Sequence, residues 1–93
     1  MSTQPVNILV VDDDDQIRRV IGAILEMEGY AFQLAEHAEM ALEVLAREPF
    51  ELMISDINMT GMSGVELLSL AHERYPDMAI IMVTGVDDRD TAI

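Results

Sequence analysis

The sequence contains no cysteine. Disulfides, thiolate metal sites and a thiol nucleophile are therefore excluded, and the composition fits a reducing compartment. There is no lysine either, and all five basic residues are arginines. That removes a P-loop lysine and a Schiff-base lysine. Long hydrophobic runs are missing too. The longest, Met78 to Val83, falls far short of the ~20 residues a membrane helix needs. The N-terminal MSTQPVN is polar and uncharged, unlike a secretory signal, so the expected location is cytoplasmic. Positive charge is scarce overall. Eighteen acidic residues face five basic ones, a formal net charge of -13. Such a surface repels phosphate backbones and anionic membranes. No direct nucleic-acid binding and no membrane association are expected. Cations and basic partner surfaces suit it.

Hydrophobic residues make up 51% of the 93 positions, which specifies a globular chain of one small domain. Val6 to Val11, VNILVV, is a short run rich in β-branched residues and reads as a strand buried on both faces. Asp12 to Asp15 follow, and then Ile17, Val20, Ile21, Ile24 and Leu25 repeat at helical spacing. Asp14 or Asp15 is the expected cap of that helix, and Gly29 its left-handed close. Tyr30 to Leu34 reads as a second strand. Ala38, Ala41, Leu42 and Leu45 mark a second helix, stopped by Pro49. Phe50 to Ser55 is a third strand. Ser63 and Glu66 form an S-x-x-E capping box ahead of a third helix that ends near Pro76. Met78 to Thr84 is a fourth strand, and Asp87 or Asp88 could cap a helix begun at Arg89. The order β-α-β-α-β-α-β with short connections predicts a parallel sheet covered on both faces, a doubly wound α/β fold.

In such sheets ligands bind beyond the carboxyl ends of the strands, where the strand order switches. Strand one ends at Asp12 and Asp13, strand three at Asp56, strand four at Thr84. If these strands are neighbours, the carboxylates of Asp12, Asp13 and Asp56 gather with the Thr84 hydroxyl at one edge. Crowded carboxylates raise each other's pKa, and a divalent cation relieves the repulsion. Magnesium suits the set, since it takes carboxylates, waters and phosphate oxygens. Asp56 could then act as a nucleophile toward phosphorus, with Thr84 donating to a phosphoryl oxygen. Taken singly, each residue has a plainer reading. An Asp run before a helix serves as a solvated cap, and a lone Asp after a strand as a turn residue.

Three segments, ILVVDDDDQIRR (8–19), ISDINMTGMSGVELL (54–68) and AIIMVTG (79–85), resemble the receiver domain of two-component response regulators. They stand in that family's order and spacing, and the resemblance spans essentially the whole chain. It implies a flavodoxin-like (βα)5 architecture, of which the first four strands and the first three helices are present here. It implies that Asp56 is the phosphoacceptor, taking a phosphoryl group from a sensor histidine kinase or phosphotransfer protein in a Mg2+-dependent reaction. It places Asp13 and Asp12 at the metal, Asp13 directly. It gives Asn58 a backbone carbonyl ligand and Thr84 the switch hydroxyl. Gly85 matches a small residue that leaves the phosphoryl group accessible. Such a domain catalyses only its own phosphorylation and dephosphorylation.

The sequence departs from the family in two places. Thr60 stands where proline is common, so the loop after Asn58 is expected to be less rigid. Residues 1–93 also stop where the family's fourth helix begins, before the fifth strand and its lysine. A receiver ending there would expose an unpaired edge at Met78 to Val83 and self-associate. A second reading therefore stays open, a receiver-like interaction or dimerisation module that is not phosphorylated.

Other chemistries fit worse. A haloacid-dehalogenase-type phosphatase needs D-x-D-x-T and a lysine, but Gln16 occupies the Thr position. An EF-hand needs a glycine at its sixth position, and the acidic run offers Gly22 instead. His37 and His72 read as surface histidines without partners, and Met59 and Met62 as gap fillers. Arg18 and Arg19 are expected on the exposed face of the first helix.

Overall fold

The computed structural model describes residues 7–83. The elements are β1 (Asn7–Val11), α1 (Asp15–Met27), β2 (Ala31–Ala35), α2 (Ala38–Arg47), β3 (Leu52–Asp56), α3 (Gly64–Arg74) and β4 (Ala79–Val83). Val6, Thr84 and the helix expected from Arg89 lie outside the described residues. All strand pairs are parallel, in the order β2-β1-β3-β4. The chain thus runs outward from β1 to β2, returns past β1 to β3, and continues to β4. The condition set by the sequence is met: β1, β3 and β4 are neighbours. This is the flavodoxin-like arrangement, with β1 and β3 central and the order switching between them.

The continuous apolar run of β1 follows from burial on both faces. Leu9 and Val11 join Met53 of β3, Val44 and Leu45 of α2, and Leu67 and Ala71 of α3 in the larger core. Ile8 and Val10 point the other way, against Leu25 of α1, with Ile21, Phe32, Leu52 and Ile54 packed around them. Alternate residues of one strand therefore serve opposite cores, as the period of two requires. Met59 and Met62 pack against the larger core, the filler role their flexible side chains suit.

Boundaries shift slightly from those read in the sequence. Tyr30 precedes β2 because its N–H donates to the Leu25 carbonyl at 3.0 Å and finishes α1 instead. Phe50 is core but lies ahead of β3, and Asp56 is the last residue of that strand. Gly29 takes φ +84° as the predicted helix close.

Candidate functional site

The four aspartates after β1 divide into two pairs. Asp14 caps α1, its Oδ1 accepting from the N–H groups of Gln16 at 2.8 Å and Ile17 at 3.3 Å. Asp15 sits in the first turn and pairs with Arg18 at 2.9 Å and Arg19 at 3.0 Å. Asp12 and Asp13 are left to face the carboxyl end of the sheet. There the carboxylates of Asp12, Asp13 and Asp56 come together, with one oxygen of each within 4.8 Å of the others. Asp12 and Asp56 are buried, at 4% and 7% exposure, while Asp13 is exposed.

Each carboxylate is held by its own loop. Asp12 Oδ1 accepts from the Asp14 N–H at 2.9 Å, an Asx turn that starts the bend into α1. Asp56 Oδ1 accepts from the Asn58 N–H at 3.3 Å. Asp13 Oδ2 accepts twice from Thr60, from its N–H at 3.2 Å and its hydroxyl at 3.1 Å. The loop after Asn58 is thus tied across to the β1–α1 loop, where the sequence predicted a looser segment. Burial raises the Asp56 pKa first, and the Asp12 and Asp13 charges raise it further, against the Asn58 and Ile57 N–H groups. Burial also raises Asp12, helped by Asp13 and Asp14 and opposed by the Asp14 N–H and Arg18. The site therefore holds negative charge under repulsion, a state that a cation relieves.

Gly64 and Arg18 touch the backbone of the site residues, and His37 caps α2. A Cβ on Gly64 would lie 1.9 Å from the Asp56 carbonyl oxygen, so only glycine lets α3 begin this close behind Asp56. Arg18 does not lie on an open helix face: its side chain is 14% exposed and Nη1 donates to the Asp12 carbonyl at 2.7 Å. Arg19 is open, at 76%. His37 has a partner after all, because Nδ1 accepts from the Met40 N–H at 3.1 Å and caps α2. No sequence signal marks the Arg18 contact. The Gly64 contact has a faint one, a glycine directly behind the Ser63 cap.

Asn58 sits in the loop directly behind Asp56 and is exposed. Thr84 lies outside the described residues. In sequence it follows Val83, which is the register partner of Asp56.

Comparison with known proteins agrees with this fold. The family model for the response regulator receiver domain matches residues 8–93. The chain is 42% identical over 86 residues to the response regulator protein FleR of Pseudomonas aeruginosa, covering 92% of this chain and 18% of FleR. It is 38% identical over 90 residues to the DNA-binding transcriptional regulator NtrC of Proteus hauseri, covering 97% of this chain and 19% of that protein. It spans less than a fifth of the length of either relative. Among solved structures, a CheY-like receiver domain from Methanospirillum hungatei superposes with a TM-score of 0.85 at 37% identity, over 96% of this chain and 74% of that one. The response regulator TrrA, solved with the histidine kinase ThkA, gives 0.81 at 38% identity, over 86% of this chain and 69% of that one. The chain belongs to the response regulator receiver domain family. It is a receiver domain of the two-component signalling type.

Proposed function

We propose that Asp56 is the phosphoacceptor of this receiver domain and that Asp12, Asp13, Asp56 itself and the Asn58 carbonyl hold a magnesium ion there. The observation that carries this reading is the convergence of three carboxylates from two strand ends, with one oxygen of each within 4.8 Å of the others. The donor set fits the ion, since it is all hard oxygen and carries repelling negative charge. When bound, magnesium neutralises charge on the phosphoryl group in transfer.

The residues of the chain divide the remaining work. An Asp56 carboxylate oxygen attacks phosphorus and forms the O–P bond. The bond from phosphorus to the donor breaks, with the electron pair leaving on the phosphohistidine ring nitrogen of a sensor kinase or on the acetate of acetyl phosphate. Gly64 and the Asn58 N–H keep the Asp56 carboxylate at the sheet edge, where a donor reaches it. Thr84 supplies a hydroxyl that moves to the phosphoryl oxygen and drives the switch to an output. The partner is a sensor histidine kinase or phosphotransfer protein, as with the kinase-bound relative TrrA. The domain works in the cytoplasm and is not an enzyme toward other substrates. Among the described residues no helix is long and apolar enough to cross a membrane.

The test is an intact-mass measurement after incubation with acetyl phosphate and Mg2+. One phosphoryl adduct is expected on the wild-type chain and none on Asp56→Asn. A folded wild-type chain that gains no adduct would favour the interaction-module reading.

A further inference from the structure

Asp13 is the least secured member of the acidic trio. It is exposed, where Asp12 and Asp56 are buried. Repulsion from its two neighbours favours any rotamer that swings its carboxylate out to water. Burial cannot hold it in place. The only donors that engage its carboxylate among the described residues come from Thr60, 47 positions away in sequence. Both Thr60 bonds, at 3.2 Å from N–H and 3.1 Å from Oγ1, end on the same oxygen, Oδ2. Oδ1 is left free. A carboxylate gripped by one oxygen and open at the other is fixed in orientation yet still able to take a cation. The threonine supplies two donors that a proline at this position would lack.

We propose that Thr60 is a positioning residue for the cation site, holding the Asp13 carboxylate beside Asp12 and Asp56 before the ion arrives. Binding then starts from an assembled site, and the cost of recruiting Asp13 from solvent is already met in the fold. Thr60 itself does not ligate the ion. The inference rests on the magnesium reading of the acidic trio given above.

The test is a Mg2+ titration of the full chain followed by amide NMR at pH 7, with Thr60→Val, Thr60→Ser and wild type compared. Thr60 is exposed, so neither substitution touches the core. Thr60→Val keeps the N–H and loses the hydroxyl. It is expected to weaken Mg2+ binding about three- to tenfold. Thr60→Ser keeps both donors and is expected to stay within about twofold of wild type. A merely structural role for the side chain would not be rescued in this way. Wild-type binding with an unchanged or tighter Thr60→Val overturns the inference about Thr60 alone. Loss of binding in Thr60→Ser equal to that in Thr60→Val overturns it as well. No Mg2+ binding by the wild-type chain overturns both this inference and the magnesium reading beneath it.

Discussion

Burial and the nearby Asp12 and Asp13 charges both work against the ionised form of Asp56. Its folded pKa lies above the ordinary value of 3.8, so the folded state holds the proton more tightly than the unfolded one. Stability therefore falls as pH rises from 3.8 through the raised folded value, and the penalty is fully present above it. Asp56→Asn removes the penalty. In metal-free buffer at pH 7 the variant is expected to melt above wild type. The gain should disappear as pH drops below 3.8. Thermal scans across pH check this, and a variant less stable than wild type at pH 7 would contradict it. The trio itself was legible in the sequence, because the strand-end rule for parallel sheets gathers residues that each look ordinary. The Thr60 tie was not, since nothing local links residues 47 positions apart. The closeness of Gly64 to the Asp56 carbonyl was equally hidden, because it depends on where α3 docks.

Elements follow from short-range chemistry, and that is why most were readable. The Ser63–Glu66 capping box forms in both directions, as the S-x-x-E spacing demanded. The acidic run is subtler. Four adjacent aspartates carry two jobs, and the cap falls to Asp14. Asp14→Ala is expected to cost about 1 kcal/mol of stability through loss of the α1 cap. It should leave phosphoryl acceptance intact once the chain is folded. Chemical denaturation alongside the acetyl phosphate assay would separate the two effects. An Asp14→Ala variant that keeps its stability but loses the adduct would move Asp14 into the site. The α2 cap could not be anticipated, because His37 serves through its ring nitrogen and histidine lies outside the common capping residues. The small errors at β2 and β3 share one cause. Apolar pattern marks what is buried, whereas strand ends are set by which N–H groups meet a partner strand.

At the scale of the molecule, the sheet is covered on both faces, and its edges are uneven. Among the described residues β4 pairs on one side only, with β3. Ile81 is 50% exposed and Val83 39%. Hydrophobic edges of this kind template pairing with another chain. Expressed as residues 1–93 alone, the polypeptide is expected to self-associate, with its light-scattering mass rising over the micromolar range, and Ile81→Arg to reduce that rise. A constant monomer mass for wild type would contradict this. The central claim concerns one atom group, the Asp56 carboxylate. The most direct measurement is to treat the chain with acetyl phosphate, with Mg2+ or with a chelator, and then reduce with borohydride. Reduction marks an aspartyl phosphate permanently, and peptide mass spectrometry gives its position. The expected result is a single mark at position 56 that depends on Mg2+. A mark at Asp12 or Asp13, or equal labelling in chelator, would contradict it.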